Sequence, residues 1–250
     1  MRAIAQGRAK ELLSLGGLPI IAHGLRDLAR SGIESALIVT SPEKPELAAT
    51  LGDRCEEMTL HYVEQRAPSG MADALSLAES FARGEPLVCW LPDNVWVGEP
   101  ATAQLLAALP RAPRSSFVGL RELAAAELGS VGAAGFVDVA GEPLAPDVLR
   151  IERVHDKGGA PPRSGAASRG ASGGSCPRLK GFPVDLWQPD LFDRIRALRA
   201  SGGPGELDDT PILQALAREG LLAGVVLRRG RLFDCGVPEG LAAARAALGD

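Results

Sequence analysis

Three features that would assign the chain to a particular protein class are missing from its sequence. No apolar run approaches the ~20 residues that span a bilayer, and the charged N-terminal stretch has no apolar core, so we expect neither a membrane segment nor a signal peptide. The four cysteines form no CxxC pair, which argues against a zinc site or a disulfide framework and favours reduced thiols in a cytoplasmic protein. The net charge of −4 argues against nucleic-acid and anionic-membrane partners.

The composition is that of an ordinary globular chain. Of the 250 residues, 46% are hydrophobic and 23% are charged, and a chain of this length fits one large α/β domain. We therefore predict a single domain over residues 1–250. The tract GGAPPRSGAASRGASGGS, at about 158–175, has almost no side chains that could build a core, so we expect a flexible surface loop there.

Short apolar runs alternate with segments of helical spacing. The runs are typical of strands buried on both faces, and they cover residues 35–39, 86–91, 115–120 and 223–227. The helical segments end at glycines, and they cover residues 19–32, 41–52 (with Ser41 as the expected cap) and 70–84. This alternation predicts a largely parallel sheet covered on both sides by helices. In such sheets, ligands bind at the carboxyl ends of the strands.

Two aspartates follow predicted strands. Asp93 comes after the apolar run LVCWL and Pro92, and Asp234 ends a short strand before the turn at Gly236. A turn after a strand explains each of them without a function, because Asp is a common turn residue. Together, however, the two carboxylates could converge on one Mg²⁺ ion, which uses one or two carboxylates and completes its shell with substrate phosphates.

Two further segments contain residues suited to a nucleotide. Gln65 follows the strand-like MTLHYV, and its amide can both donate to and accept from a nucleobase edge. Gly70 opens a helix, and the backbone N–H groups at a helix start suit anions. Lys10, ahead of the Gly16-Gly17 turn, has the charge of a phosphate ligand. An ordinary helix cap and a solvated lysine explain the same residues without a ligand.

The order of five segments along the chain is more specific than any one of them. They read AKELLSLGGLPI (9–20), QRAPSGMADAL (65–75), CWLPDN (89–94), GELDDTP (205–211) and DCGVPEGL (234–241). In this order they resemble the motifs of the sugar-1-phosphate nucleotidylyltransferases, which include glucose-1-phosphate uridylyl- and thymidylyltransferases. The resemblance covers nearly the whole chain outside the glycine-rich tract. It implies the nucleotide-diphosphosugar transferase fold, a Rossmann-like three-layer α/β/α arrangement with a mainly parallel sheet.

The resemblance also implies roles for individual residues. The metal-binding carboxylates of the family fall on Asp93 and Asp234, and its phosphate-binding lysine falls on Lys10. Its nucleobase contacts fall on Gln65 and Gly70. These five residues would form the catalytic, metal and nucleotide-binding site.

The sugar-phosphate contacts are placed by the same resemblance. Gly135, in GAAGFVDV, matches the glycine that touches the sugar. The Glu-Lys-Pro segment of the family falls on Asp156-Lys157 or on Glu152-Arg153, and the position just before the glycine-rich tract favours Asp156-Lys157.

The implied reaction belongs to nucleotide-sugar biosynthesis. The sugar-1-phosphate oxygen attacks the α-phosphate of UTP or dTTP and releases pyrophosphate, and glucose-1-phosphate is the commonest acceptor in the family. Catalysis of this kind depends on positioning and charge neutralisation, with Mg²⁺ held by Asp93 and Asp234 and a further positive charge from Lys10. Family members often form dimers or tetramers, so a homo-oligomer is an open expectation.

The sequence departs from the family pattern in several places. Ala9, Pro92 and Val237 replace a proline, a glycine and a threonine of the motifs, respectively. The family also begins with a strand and a GGxGTRLxP loop that holds the triphosphate, and the residues before Lys10 are too few for both. We therefore expect the first strand to be missing. Either the chain is a shortened form of a complete enzyme, or it is a non-catalytic relative that binds nucleotide, nucleotide-sugar or a partner. A sugar-transferring enzyme of related fold explains fewer of the motifs.

Overall fold

The computed structural model describes residues 9–123, 135–156, 178–202 and 205–250. The glycine-rich tract and residues 1–8, on which two of the expectations rest, lie outside these ranges. The chain divides into two compact units. Unit 1 comprises Met1–Arg83, Trp90–Ala103 and Arg229–Asp250, and unit 2 comprises Gly84–Cys89 and Gln104–Arg228. The prediction of a single domain stays a prediction.

The described strands are mostly short. In chain order they are β1 Ser14–Leu15, β2 Leu18–Pro19, β3 Ser35–Thr40, β4 Arg54–Cys55, β5 Met58–Glu64, β6 Leu87–Trp90, β7 Asn94–Gly98, β8 Ser116–Leu123, β9 Phe136–Val139, β10 Val148–Val154, β11 Arg178–Trp187, β12 Leu222–Val226 and β13 Gly230–Asp234.

The helices alternate with these strands through much of the chain. They are α1 Ile20–Arg30, α2 Glu46–Leu51, α3 Met71–Ser76, α4 Glu79–Ala82, α5 Ala101–Leu106, α6 Leu191–Ala200, α7 Thr210–Arg218 and α8 Pro238–Leu248. Short 3₁₀ turns at Lys10–Leu12 and Leu109–Arg111 accompany them. None of the helices in the described ranges has both the length and the apolar character needed to cross a bilayer.

Unit 1 is built from three small groups of strands. Strand β5 pairs in parallel with β3 and antiparallel with β4. Strands β1 and β2 form an antiparallel pair, as do β7 and β13. Beneath the β7–β13 pair lies a buried apolar cluster that anchors both strands to α1 and α8; its members are Leu15, Ile20, Val95, Phe233, Cys235, Leu241 and Ala244.

Unit 2 contains a six-stranded sheet in the order β6-β11-β8-β12-β10-β9. Strand β12 pairs in parallel with β8 and antiparallel with β10. All five residues of β12 are buried, as expected for a strand covered on both faces. Strands β9 and β10 are antiparallel neighbours, and a short connection joins them directly. Two parallel neighbours would need a longer crossover connection.

Helix α1 packs through the apolar face that its sequence pattern predicts. Its buried positions recur at helical spacing and form one face. Gly24 lies on this face, where an added Cβ would stand 2.4 Å from Trp90 Nε1, so the helix packs against the indole at a distance that only glycine allows. The helix ends at Arg30, and Gly32, just beyond the cap at Ser31, has a φ of +85° that favours glycine.

Most element predictions are confirmed. Each of the four apolar runs forms a strand, and each helical segment contains a helix. The cap at Ser41 is wrong, because α2 begins five residues later, at Glu46 after Pro45. The segment 70–84 forms two short helices, α3 and α4. The α/β class is confirmed, and its sheets combine the parallel pairs β3–β5 and β8–β12 with antiparallel pairs.

Candidate active site

The two predicted metal ligands are brought together by the antiparallel pair β7–β13. Asn94, the first residue of β7, pairs with Asp234, the last residue of β13. The ladder continues one residue further, since Cys235 donates its backbone N–H to the carbonyl of Asp93 at 2.8 Å. The start of one strand therefore meets the end of the other, and Asp93 and Asp234 lie side by side although they are far apart in sequence.

Gly236 shows where the two carboxylates point. A Cβ added to this glycine would stand 2.8 Å from Asp93 Oδ2 and 2.9 Å from Asp234 Oδ1. Gly236 also donates its backbone N–H to Asp234 Oδ1 at 2.9 Å, which fixes that oxygen. One oxygen of each carboxylate thus lies within 3 Å of the same position beside Gly236, a position left unfilled because residue 236 has no side chain.

Lys10 contacts one of these oxygens. Its Nζ donates to Asp93 Oδ2 at 2.5 Å, with 37% of the lysine side chain and 23% of the aspartate side chain exposed. The other oxygen, Asp93 Oδ1, accepts a hydrogen bond from Asn94 Nδ2 at 2.9 Å. The Asp93 carboxylate is therefore held at both oxygens by side chains of unit 1.

Lys10 is itself positioned by its neighbours in sequence. It begins a 3₁₀ turn that is anchored on both sides, since Ala9 donates its backbone N–H to Glu46 Oε1 at 2.9 Å. Glu11 is 4% exposed and accepts a hydrogen bond from Lys44 Nζ at 2.9 Å. These contacts tie the turn to the loop before α2, so the ammonium of Lys10 has a defined place.

The electrostatics of the site follow from this clustering. Burial acts to lower the pKa of Lys10, but the hydrogen bond and charge of Asp93, with the charges of Glu11 and Asp234, outweigh it and raise the pKa. Burial, assisted by the charges of Asp234 and Asp93, raises the pKa of the Cys235 thiol to about 11. The carboxylates of Asp93 and Asp234 therefore place negative charge around both Lys10 and Cys235.

The donor set fits Mg²⁺. Two carboxylate oxygens facing one point supply the hard, anionic ligands that this ion uses, and substrate phosphates and water ordinarily complete its octahedral shell. Within the described ranges, no cluster of three or more His, Cys, Asp or Glu side chains has the arrangement of a metal site. A metal at Asp93 and Asp234 would thus take most of its ligands from outside the protein.

The predicted nucleobase residues lie at the end of β5 and the start of α3. Gln65 is half-buried directly after β5, and its Nε2 donates to the carbonyl of Gly70 at 3.2 Å and to Asp73 Oδ2 at 2.9 Å. Gly70 caps α3 with a φ of +105°, a conformation that favours glycine. The loop between them is closed by the side chain of Gln65.

Comparison with known proteins identifies the family. Residues 1–138 match the family model described as nucleotidyl transferase. The chain belongs to the nucleotidyl transferase family. The resemblance inferred from the five motifs is therefore confirmed.

Individual nucleotidyl transferases resemble the chain over most of its length. A Bacillus subtilis (strain 168) protein, provisionally named a UTP–glucose-1-phosphate uridylyltransferase, is 28% identical over 91% of this chain and 84% of its own length. A glucose-1-phosphate thymidylyltransferase of an Actinoplanes strain is 28% identical over 93% of this chain and 68% of its own. A solved structure from Bacillus anthracis, provisionally described as a glucose-1-phosphate thymidylyltransferase, covers 100% of the chain and 90% of its own with a TM-score of 0.79 at 21% identity. This likeness establishes the Rossmann-like α/β fold.

The sugar-phosphate residues expected of a nucleotidyl transferase lie in unit 2. His155 donates its backbone N–H to the carbonyl of Phe136 at 2.9 Å, so Gly135 and Asp156, one residue further along each strand, flank the same end of the β9–β10 ladder. Asp156 Oδ1 accepts a hydrogen bond from Gln214 Nε2 at 2.7 Å. Lys157 lies outside the described residues.

The sequence patterns did not predict a role in the site for three of its residues. Asp73 holds the amide of Gln65, Asn94 holds Asp93, and Gly236 leaves the point between the carboxylates open. The Asp-Asn dipeptide and the glycine two residues after Asp234 were visible signals. No pattern in the sequence indicated the contact between Gln65 and Asp73, because this contact depends on how the loop after β5 closes.

Proposed function

We propose that the protein transfers a nucleotidyl group from UTP or dTTP to a sugar-1-phosphate, with glucose-1-phosphate as the first acceptor to test. The observation that best supports this proposal is that Asp93 Oδ2 and Asp234 Oδ1 both lie within 3 Å of the same position beside Gly236. Family membership supports the reaction class, and the names of the Bacillus subtilis and Actinoplanes relatives support glucose-1-phosphate. In the reaction, an oxygen of the sugar phosphate bonds to the α-phosphorus, the α–β phosphoanhydride bond breaks, and pyrophosphate leaves.

Three residues would supply the charge chemistry. Asp93 and Asp234 would hold Mg²⁺, which, when bound, neutralises the negative charge of the reacting phosphates. Lys10 adds a positive charge beside the Asp93 carboxylate and would bind phosphate oxygens. No covalent intermediate is required, because the energetic problem in phosphoryl and nucleotidyl transfer is mainly to orient the groups and offset their charge.

Two further sets of residues would bind the substrates. Gln65 and Gly70 would contact the nucleobase, and their direct hydrogen bond keeps them in a fixed relation. Gly135 and Asp156 would contact the sugar phosphate from the end of the β9–β10 ladder, and Lys157 would add a charge next to Asp156.

The test is pyrophosphate release from glucose-1-phosphate and UTP or dTTP with Mg²⁺, with the nucleotide-sugar identified by chromatography. The wild-type chain should form UDP-glucose or dTDP-glucose. Asp93→Asn should lower the rate by about 10²-fold or more, because it removes a negative ligand from the site. Asp53→Asn, an exposed aspartate of the same unit, is the matched control and should keep the wild-type rate.

Two results would contradict the proposal. Full activity in Asp93→Asn would remove the assigned role of that carboxylate. A wild-type chain that binds UTP in an Mg²⁺-dependent manner but releases no pyrophosphate would be a non-catalytic binding protein.

A further inference from the structure

The side-chain amide of Gln65 faces two acceptors of the chain itself. Its Nε2 lies 2.9 Å from Asp73 Oδ2 and 3.2 Å from the carbonyl oxygen of Gly70. The Gly70 carbonyl also accepts the backbone N–H of Ala74 at 3.1 Å, so it is shared between two donors. The carboxylate of Asp73 is therefore the stronger of the two acceptors, because hydrogen bonds to ionised groups are stronger than those to neutral ones.

This arrangement fixes which way the amide points. In the reversed orientation, Oε1 of Gln65 would face a carboxylate and a carbonyl, which carry no proton to share, and both contacts would become repulsive. Both Nε2 protons are thus directed into the protein. The atom of the amide that is left to meet a ligand is Oε1, which can only accept a hydrogen bond.

The start of α3 holds Asp73 where its carboxylate can orient the amide of Gln65. It lies in the first turn of α3, where a negative charge is favoured by the helix dipole. Gly70, at the cap of the same helix, brings its carbonyl to the amide through a φ of +105°. The orientation of Gln65 is therefore set by the start of α3 and not by the strand that carries Gln65.

We propose that Asp73 is a positioning residue that determines nucleobase specificity, by holding Gln65 so that only its acceptor, Oε1, is presented to the base. Uracil and thymine carry a proton on N3 and can donate to Oε1. Cytosine has an unprotonated N3, which repels an Oε1 that faces it, so cytidine nucleotides bind less tightly than uridine and thymidine nucleotides. The inference rests on the proposed function, which assigns the nucleobase to Gln65.

The experiment compares binding of UTP and CTP to the full-length protein by calorimetry in the absence of sugar-1-phosphate. Asp73→Ala removes the stronger acceptor and leaves only the shared Gly70 carbonyl to hold the amide, so the reversed orientation becomes more accessible. Asp73→Asn keeps an acceptor oxygen, since its Oδ1 can still receive a proton from Nε2. Glu64→Ala removes an exposed negative charge next to Gln65 and is the matched control for charge alone.

The expected readout is the ratio of the two dissociation constants, because a general loss of affinity or folding changes both constants together. The wild-type protein should prefer UTP. In Asp73→Ala the preference should fall by about tenfold, as expected for the exchange of a favourable hydrogen bond for an unfavourable contact. Asp73→Asn should keep most of the preference, and Glu64→Ala should keep all of it.

The possible failures are distinguishable. A wild-type preference for UTP that survives unchanged in Asp73→Ala would overturn the role of Asp73 and leave the proposed function intact. A wild-type protein that binds neither nucleotide would overturn both. An equal loss of preference in Glu64→Ala would show that charge, and not orientation, is responsible.

An independent measurement covers the case in which Asp73→Ala does not fold. In the wild-type protein, both Nε2 protons of Gln65 should exchange slowly with solvent by NMR, because both are hydrogen-bonded. Rapid exchange of both protons would contradict the fixed orientation on which the inference depends.

Discussion

The ammonium of Lys10 lies 2.5 Å from Asp93 Oδ2, the same oxygen that lies within 3 Å of the unfilled position beside Gly236. The chain therefore places one of its own cations on a carboxylate that it would also use for Mg²⁺. An ammonium and a divalent ion on the same oxygen repel each other, so metal binding at Asp93 would favour movement of Lys10 away from that oxygen. A triphosphate, which offers Lys10 a new anionic partner, would make that movement favourable.

The first prediction concerns this competition. Lys10→Met should bind Mn²⁺ about fivefold more tightly than the wild-type protein when no nucleotide is present, since a half-exposed ion pair is worth up to about 1 kcal/mol. With pyrophosphate present, the order should reverse, because the variant lacks the phosphate ligand. Calorimetric titration with Mn²⁺ measures the affinity of each protein without and with pyrophosphate. Arg54→Met, which removes an exposed cation of the same unit that pairs with the exposed Glu57, should match the wild-type protein. Tighter Mn²⁺ binding in the wild-type protein without pyrophosphate would contradict the competition.

The second prediction concerns Gly236. In Gly236→Ala, the new methyl group would stand under 3 Å from one oxygen of each carboxylate, so the two side chains must move apart. The fold should tolerate this, because the ends of side chains can shift, but Mn²⁺ affinity in the presence of pyrophosphate should fall by about tenfold or more. Gly141→Ala is the control, since a Cβ there meets no atom within 4 Å. Equal Mn²⁺ affinities for the two variants would refute the arrangement of the carboxylates.

The third prediction reverses a general rule. Replacing a glycine inside a helix by alanine usually stabilises the helix by about 1 kcal/mol. Gly24→Ala should instead destabilise the protein by about 1–3 kcal/mol, the typical cost of overpacking, because the methyl group would stand 2.4 Å from Trp90 Nε1. The indole cannot move freely, since Nε1 donates to the carbonyl of Asn94 at 3.3 Å. Unfolding in guanidinium chloride measures the change, and a gain in stability would show that this contact is absent.

The fourth prediction concerns a buried carboxylate at the start of α5. Asp27 is 7% exposed and accepts the backbone N–H groups of Ala101 and Thr102 at 2.7 and 2.9 Å. Those N–H groups have no partner within the helix, so Asp27→Ala should lower the free energy of unfolding by about 1 kcal/mol or more. Glu43→Ala, an exposed acid of the same unit, should leave it unchanged.

The same carboxylate gives a pH dependence with a definite sign. Burial raises the pKa of Asp27 above its ordinary value of 3.8, because it outweighs the hydrogen bonds and the nearby charge of Arg30. A carboxyl whose pKa is higher in the folded state contributes stability below its unfolded pKa and loses that contribution as the pH rises through its folded pKa. The destabilisation caused by Asp27→Ala should therefore grow as the pH is lowered from 7 towards 4. A destabilisation that shrinks over this range would contradict the raised pKa.

Local sequence patterns predicted several of the strands and helices, and the order of the motifs predicted the family. Apolar runs such as those that form β3 and β12 are local patterns, and burial on both faces follows from their composition. The motif order pointed to Asp93, Asp234 and Lys10. The expected cap at Ser41 failed because α2 begins only after Pro45, beyond the reach of a cap at Ser41.

How these residues meet depends on strand pairing and loop closure over long distances in the sequence. Asp93 and Asp234 face one point because β7 and β13 pair antiparallel, and not because both end strands of one parallel sheet. The contacts of Lys10 with Asp93 and of Gln65 with Asp73 join side chains whose distance depends on chain closure and on competition among charged partners. A sequence pattern specifies which residues are available, whereas hydrogen-bond geometry and packing specify which atom of each one is left to bind a ligand.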